Sequence, residues 1–242
     1  MNSRRQLLFV AAAAVLLPGR VIAAAGSQSA AQQDKAYTSA IGWSEFLARM
    51  TALADAHANL KVGQQAVVAD GLRYLQQLDI GMAGFEQAVD SAFESGNRYW
   101  LWQRMIKQQN INGGILNINS EQLVQLHDHP GATGLLRIIS GEVEVWQFDE
   151  SADNDADSPP GVSELTRVSR NILRAGDMGV LTPDKGNIHA LRSISEECRM
   201  LDIFIPPYEV SQRNWYQPES KNWFDKEKIL CRRIPQHSYM DA

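Results

Sequence analysis

The sequence is poor in cysteine, carries no excess of positive charge and has no apolar run long enough to span a membrane. Its formal net charge is −5 and no patch of Lys and Arg stands out, which argues against a nucleic-acid-binding protein. Its two cysteines, Cys198 and Cys231, are either a disulfide pair in an exported protein or two reduced, partly buried thiols. The 242 residues, 44% hydrophobic and 21% charged, have the composition of a globular protein with one large or two small domains.

Residues 1–25 are predicted to be an export signal rather than part of the fold. Arg4 and Arg5 precede a short apolar run, Phe9–Leu17, and three alanines at positions 23–25 offer a cleavage site. The arginine pair resembles a twin-arginine signal, with an ordinary secretory signal or an uncleaved anchor as alternatives. These features predict a periplasmic protein with no stable membrane insertion after cleavage.

Residues 26–36 are predicted to be a flexible linker, and residues 37–96 a helical N-terminal region. Apolar residues recur there at helical spacing in three stripes: Trp43, Phe46, Leu47, Met50, Leu53 and Ala54; Val68, Leu72, Leu75 and Leu78; and Met82, Phe85, Val89 and Phe93. Gly81 and Gly96 are predicted helix ends. We expect these helices to form a cap that packs on the domain that follows.

From residue 97 to residue 242 the pattern changes to short strands separated by Gly and Pro turns, which is typical of a small double-sheet barrel. Leu135–Ile139 and Val143–Phe148 are predicted to form a hairpin joined at Gly141. The pair Gly113-Gly114 is predicted to be a turn. The acidic, Pro- and Gly-rich residues 150–164 are predicted to be a surface loop.

Three of the five histidines indicate a metal site. His127 and His129 alternate on a predicted strand, Val124–His129, so both imidazoles would face one side of it. His189 follows a Gly-Asp turn, a short apolar strand and a Pro turn in residues 176–183, which is the order of the second half of a cupin metal site. Imidazole is the usual ligand of iron, copper, zinc and nickel. The sequence therefore predicts a three-histidine metal centre.

No metal-binding role is predicted for the other two histidines. His57 ends the first apolar stripe, and His237 lies in a polar stretch near the C-terminus. Arg137 and Arg192 are candidates to bind a substrate carboxylate, although surface positions are the simpler interpretation. The aromatic residues of the C-terminal tail are expected to cover one mouth of the barrel: Trp215, Tyr216, Trp223 and Phe224.

The segment LHDHPG, residues 126–131, followed by GLLRIISG, residues 134–141, resembles the thiol dioxygenases of the cysteamine dioxygenase and plant cysteine oxidase type. A second match is IHAL, residues 188–191. A third, Asp202 to Tyr208, is similar to the family's Asp-x-x-x-Pro-Pro-Tyr segment. The resemblance covers roughly residues 99–235 with its motifs in matching order. The predicted export signal departs from the familiar intracellular members of that family.

The resemblance implies a mainly β fold, a cupin double-stranded β-barrel or jelly roll, here with the N-terminal helical cap. It implies non-haem Fe(II) held by His127, His129 and His189, and oxidation of a thiol to a sulfinic acid with O2. Asp202 and Tyr208 match family positions near the active site. The implied partners are O2 and a small thiol, such as cysteamine or cysteine, or a peptide with an N-terminal cysteine. We expect a monomer.

The alternation of side chains along Leu201–Ile205 supports an inward position for Asp202 independently of the resemblance. Asp202 and Phe204 share one face of this predicted strand, and the three aliphatic residues share the other. A carboxylate that faces a barrel interior is expected to be hydrogen-bonded. A purely structural Asp202 and a packed turn aromatic at Tyr208 remain the alternative interpretations.

The ligand set suits thiol chemistry, because three neutral imidazoles leave open coordination positions for a thiolate and for O2. No carboxylate follows His129 at the usual cupin spacing, since residues 130–133 are Pro, Gly, Ala and Thr. That absence argues against another cupin oxygenase or a metal-dependent isomerase. A non-catalytic cupin that binds zinc, acting as a sensor or binding module, is the alternative from a different class. The sequence does not identify the thiol.

Overall fold

The computed structural model describes residues 39–96, 101–120, 122–151 and 161–236. The predicted export signal and linker, as well as His237, lie outside the described residues. No helix in the described part of the chain is long and apolar enough to cross a membrane.

Three helices precede the strands: α1 (Trp43–Ala58), α2 (Gln64–Gln77) and α3 (Ala83–Ser95). Each carries one of the three predicted apolar stripes, and the most central residues of each stripe are buried. Gly96 follows α3 as predicted. The predicted end at Gly81 is wrong, because α2 already ends at Gln77 and Leu78 turns into a bridge with Ile41.

Eleven strands are described after the helices. They are β1 (Trp102–Lys107), β2 (Asn112–Asn119), β3 (Leu123–His127), β4 (Thr133–Ser140), β5 (Glu142–Glu150), β6 (Val162–Arg174), β7 (Met178–Leu181), β8 (Ile188–Ser193), β9 (Glu197–Ile205), β10 (Asn214–Pro218) and β11 (Lys228–Pro235). Residues 152–160 of the predicted surface loop lie outside the described residues, while the ends of that segment extend β5 and β6.

The strands form two antiparallel sheets that face each other. The five-stranded sheet has the order β1-β2-β9-β4-β7, and the six-stranded sheet closes on itself in the order β10-β11-β6-β5-β8-β3. All three helices precede this β-structure in the chain, so the predicted fold class, a mainly β double-stranded barrel with N-terminal helices, is confirmed.

The predicted hairpin around Gly141 is wrong, because β4 and β5 belong to different sheets. β4 pairs with β7 and β9, whereas β5 pairs with β6 and β8. A single connecting residue is too short to fold one strand back on the other, since tight hairpins use two. Gly141 has a φ of 78°, and a Cβ there would lie 2.1 Å from the carbonyl oxygen of Glu197. It is therefore a corner where the chain crosses between sheets.

The pair Gly113-Gly114 is also not a turn, since both residues lie inside β2. A Cβ on Gly114 would lie 2.5 Å from a ring carbon of Trp102, which belongs to the neighbouring strand β1. The missing side chains allow close packing rather than chain reversal, which is the other common reason for glycine in a strand.

The helices pack on the outer face of the five-stranded sheet, where one apolar cluster combines residues of α1, α2 and α3 with Ile115, Leu135, Leu201 and Ile203. Two further clusters lie on the six-stranded sheet and at the far end of the barrel. Cys198 and Cys231 are buried in different clusters and are both free, so the disulfide interpretation is wrong. Burial raises the pKa of each thiol to about 12.

Candidate metal centre

Two of the predicted ligands lie opposite each other on adjacent strands of the six-stranded sheet. His127 is the last residue of β3 and His189 the second residue of β8, and the two are register partners. Opposed residues of an antiparallel pair project to the same side. Their ring centroids are accordingly 4.4 Å apart.

His129 reaches the same point from a loop, because β3 ends at His127 and not at His129 as predicted. The side chain of Asn187 holds the loop: the His129 N–H donates to Asn187 Oδ1 at 2.6 Å, and Asn187 Nδ2 donates to the His129 carbonyl at 3.1 Å. These two bonds form a small ladder between the two halves of the site. Strand alternation therefore correctly predicted that His127 and His129 face the same point, but the position of His129 depends on the loop held by Asn187 and not on the strand.

Asp128, between the two histidines, ties the same loop to β10. Its carboxylate accepts hydrogen bonds from the Asn214 N–H at 2.7 Å, from Asn214 Nδ2 at 2.9 Å and from the Tyr216 hydroxyl at 3.0 Å. A buried carboxylate with three donors is well compensated for its burial. It is a loop anchor and is turned toward β10.

The three imidazoles form a buried cluster whose candidate ligand atoms all lie within 4.8 Å of one another. Burial is the first cause that lowers the pKa of each ring, well below its ordinary range for His127 and His129 and to about 4 for His189. The neutral imidazole is the form that binds a metal. The rings are therefore in the ligating state at neutral pH.

Backbone carbonyls orient two of the three rings. His127 Nδ1 lies 2.7 Å from the Gln125 carbonyl, and His189 Nδ1 lies 2.9 Å from the Asn187 carbonyl. A carbonyl only accepts, so each Nδ1 carries the proton and each Nε2 keeps a free lone pair. Within the described ranges the cluster contains three histidines and no carboxylate. This donor set fits a divalent transition metal that keeps open positions.

The inner face of β9 lies across the cavity from the histidines, as strand alternation predicted. Asp202 and Phe204 line the cavity, whereas Leu201, Ile203 and Ile205 pack against the helices. The Phe204 ring lies 4.5 Å from the His129 ring, and the Tyr208 ring lies 4.4 Å from it. The structure thus places both predicted active-site residues in the cavity of the histidines, with Tyr208 directly beside His129.

The carboxyl group of Asp202 faces the cavity without a hydrogen-bond partner among the described side chains, so the expected hydrogen bond is absent. Its register partners are Gly114 on β2 and Leu136 on β4, neither of which has a polar side chain. Burial raises the pKa of Asp202 to about 7, and the charge of Arg213 opposes that rise. The group can therefore gain or lose a proton near neutral pH.

Arg213 is a cavity residue that sequence reasoning missed. Its Nη2 donates to the Tyr208 hydroxyl at 3.0 Å and lies 3.3 Å from His129 Nδ1. Burial lowers the pKa of this guanidinium, while Tyr208, Asp128 and Asp202 favour its charge. An Arg directly before the aromatic segment at Trp215 was the available signal, but it forms no recognisable motif.

The two arginines proposed from the sequence lie elsewhere. Arg137 Nη1 donates to the carbonyls of Leu75 and Leu78 at 2.5 and 2.6 Å, which satisfies the C-terminal end of α2. Arg192 pairs with Glu144 at 2.7 Å on the outer face of the six-stranded sheet. Neither lines the cavity.

The tail aromatics divide between two places. Trp215 lines the cavity, and its ring lies 5.0 Å from that of His127, as expected for a residue at the barrel mouth. Trp223 and Phe224 instead pack against Trp146 on the face of the six-stranded sheet that points away from the histidine cavity, so the prediction that they cover the mouth is wrong. They follow β10, which already closes the barrel.

The facing sheets enclose one cavity of about 800 Å³ that contains the histidine cluster. A double-sheet antiparallel barrel with inward histidines in its cavity defines a metal-binding cupin. Residues 75–229 match the model of the PCO_ADO family. Since the match covers more than half of the chain, the protein belongs to that family.

The individual relatives share less than 30% sequence identity with this chain. The chain is 26% identical to the "Probable 2-aminoethanethiol dioxygenase" of Dictyostelium discoideum, over 49% of this chain and 56% of the relative. It is 29% identical to "Plant cysteine oxidase 1" of Arabidopsis thaliana, over 39% of this chain and 32% of the relative. The chain thus spans about half or less of these curated relatives. A Klebsiella pneumoniae structure with a double-stranded β-helix domain is 18% identical, covering 49% of this chain and 82% of its own, with a TM-score of 0.36.

Proposed function

We propose that this protein is an Fe(II)-dependent thiol dioxygenase that converts R–SH and O2 into the sulfinic acid R–SO2H. The observation that carries the proposal is the cluster of three buried, neutral imidazoles with no carboxylate among its candidate ligands. Membership of the PCO_ADO family and the names of two relatives, a 2-aminoethanethiol dioxygenase and a plant cysteine oxidase, support it.

The proposed metal ligands are His127, His129 and His189. A ferrous ion held by three neutral imidazoles supplies open positions for a thiolate and for O2. The protein's part is to hold the rings in place, and the carbonyls that receive two of the Nδ1–H groups do so.

Asp202 is proposed to accept the proton of the substrate thiol and to return it. A thiol must lose its proton to become a nucleophile, and a carboxyl group with a pKa of about 7 can accept or return that proton at neutral pH. Asp202 projects from β9 into the same cavity as the histidines, and its carboxyl has no competing partner among the described residues.

Tyr208 and Arg213 are proposed to position the substrate at the mouth. Their hydrogen bond of 3.0 Å fixes the phenol, which packs beside Phe204 and His129 and so narrows the access of water to the rings. Arg213 keeps a positive charge beside the cavity, which favours a substrate anion near the histidines.

The decisive test combines metal analysis with product analysis. Protein purified without added chelator and reconstituted anaerobically with Fe(II) should consume O2 when cysteamine, cysteine, 3-mercaptopropionate or a peptide with an N-terminal cysteine is added. Mass spectrometry should find both oxygen atoms on the sulfur. A protein that holds zinc, and that takes up no O2 with any thiol after iron loading, would instead be the non-catalytic binding module.

Export by the twin-arginine route remains part of the proposal, on the basis of Arg4, Arg5 and the alanines at positions 23–25. Replacing both arginines by lysine should leave the precursor in the cytoplasm, as seen by fractionation. Normal export of that variant would indicate the ordinary secretory route.

A further inference from the structure

The cavity is much larger than a two- or three-carbon thiol requires. Its volume of about 800 Å³ lies in the range of pockets that enclose drug-sized ligands, about 300–1,000 Å³. Protein interiors are otherwise packed without voids, because unfilled apolar space weakens the fold. A small thiol bound at the histidines would leave most of this volume without a partner.

The register of the six-stranded sheet shows which side chains line the cavity beyond the histidines. His127, His189 and Gln147 form one row across β3, β8 and β5. Two residues further into the barrel, Leu191 pairs with Val124 and with Val145, and all three line the cavity. Two residues of strand rise by about 6.6–6.8 Å, so an apolar row begins about 7 Å below the histidines.

The five-stranded sheet continues the same apolar lining from the other side. Leu136, opposite Asp202, faces the cavity, and so does Leu116 one row deeper. Leu173 of β6 also lines this inner part, and Asn171, the register partner of Val145, is its polar member. The Arg213 guanidinium and the Tyr208 ring lie beside His129, whereas Asp202, two residues along β9 from Phe204, lies at about the depth of the aliphatic row and is a second polar group there.

We infer that the substrate of the proposed reaction is a thiol with an apolar body of about six or more carbons, which extends from the histidines into the barrel interior. With C–C bonds of about 1.5 Å, an extended chain advances by roughly 1.25 Å per carbon, so about six carbons span the roughly 7 Å between the rows. Functional groups that carry charge stay close to the sulfur, at the end of the cavity where Arg213 lies. The inference rests on the proposed function and names its substrate class.

The test is a series of 2-aminoalkane-1-thiols that share one head group and differ only in tail length, with cysteamine as the shortest member. Burial of each methylene should raise kcat/KM for O2 uptake by about three- to fourfold, until about six carbons are buried. Four methylenes separate cysteamine from the six-carbon member, so the series should span about 80- to 250-fold. A kcat/KM that is independent of tail length while cysteamine is consumed would overturn the inference and leave the proposed function intact.

A binding measurement separates this inference from the chemistry. Metal-free protein should bind the S-methyl thioethers of the same series, detected by thermal shift, with affinity that rises with tail length. Tail-dependent binding without O2 uptake by any thiol would support the substrate class and defeat the dioxygenase proposal. An affinity that does not change with tail length would overturn the inference, whether or not the protein takes up O2 with a thiol.

Val145→Phe provides the structural check, because its ring would fill the apolar row. The variant should lose the tail-length dependence in both measurements, with at least about a tenfold loss of affinity for the six-carbon thioether. Ile172→Phe, at an exposed site on neighbouring β6, is the matched control and should behave as wild type. Should Val145→Phe fold poorly, Val145→Leu should give a smaller loss in the same direction. A higher melting temperature with unchanged tail dependence would identify the space as loosely packed core and sink the inference.

Discussion

The two sheets present opposite kinds of polar group to the same cavity. On the six-stranded sheet and its adjoining loops, Asn187, Asn214 and two backbone carbonyls form hydrogen bonds that hold the histidines and Asp128. On the five-stranded sheet, Asp202 lies between Gly114 and Leu136 without a hydrogen bond to the described residues. The histidine loops are therefore held by hydrogen bonds, whereas Asp202 keeps a carboxyl group that no described residue binds.

This difference separates the residues that hold the metal ligands in place from the residue proposed to exchange a proton. Satisfied hydrogen bonds fix the position of the imidazoles before any metal or substrate arrives, which is what a ligand set requires. An unpartnered carboxyl costs stability but stays free to exchange a proton or to meet a ligand. We expect substitutions on the six-stranded sheet to reduce metal binding and substitutions at Asp202 to reduce turnover with the metal retained.

The largest effect is expected for His189→Ala. The variant removes one of three proposed ligands, so it should lose most bound iron and nearly all thiol-dependent O2 uptake. His57→Ala is the control, because His57 bonds the Val62 carbonyl at the end of α1, away from the cavity. Full iron occupancy in His189→Ala, measured by elemental analysis, would place the third ligand elsewhere.

Asn187→Ala should come next, since it removes the ladder to His129 but keeps the backbone carbonyl that orients His189. Metal affinity should fall by about 10–100-fold, as is usual when the groups that orient a ligand are lost. Asn119→Ala, at an exposed position at the end of β2, is the matched control. An Asn187→Ala protein with wild-type affinity in a competition titration would show that Asp128 alone positions the loop.

Asp202→Asn should lower kcat by about 10–100-fold and leave the iron content near that of wild type. The amide keeps the size of the side chain but cannot take a proton. Tyr208→Phe should lose less than about tenfold, since it removes one hydroxyl that bonds Arg213. If Asp202→Asn binds iron, melts normally and turns over at the wild-type rate, Asp202 is a structural residue.

The smallest effect concerns the stability of the metal-free protein as pH changes. The pKa of Asp202 is raised from 3.8 to about 7, so the native state holds its proton more tightly than the unfolded chain does between these values. Wild type should therefore lose stability relative to Asp202→Asn as pH rises through that window, with the full loss above about pH 7. We expect the free energy of unfolding to fall by about 1–2 kcal/mol. The full pKa shift of Asp202 at about 1.36 kcal/mol per pKa unit would give a larger loss, but water in the cavity screens the carboxylate.

Urea unfolding at about pH 5 and about pH 8 measures this difference. Asp184→Asn, at an exposed position, controls for a general effect of removing a carboxylate. An equal gain of stability by Asp202→Asn at both pH values would mean that the carboxyl group is not titrating in this range.

Features that depend on local alternation were predictable, and features that depend on distant partners were not. The two faces of β9 follow from a period of two residues along one strand, and the helical stripes from a period of 3.6. The role of Gly141 depends on which sheet each neighbouring strand joins, and that of Gly114 on the Trp102 ring packed against it. These are non-local facts that no short window of sequence contains.

The site divides in the same way. The histidines were identifiable because ligand chemistry restricts the residue type and the motif recurs in a known family. Asn187 and Arg213 act through contacts with residues 58 and 84 positions away. Asparagine and arginine have many common roles, so nothing in their own neighbourhood distinguishes these two.

The two buried cysteines have a consequence for an enzyme proposed to oxidise thiols. Cys198 and Cys231 do not line the cavity, and burial raises the pKa of each thiol to about 12. A protonated thiol is a poor nucleophile and a poor metal ligand, so neither residue competes with the substrate for the metal or reacts readily with oxidants in solution. Burial of both thiols in separate clusters therefore keeps them from competing with the thiol substrate of the proposed reaction.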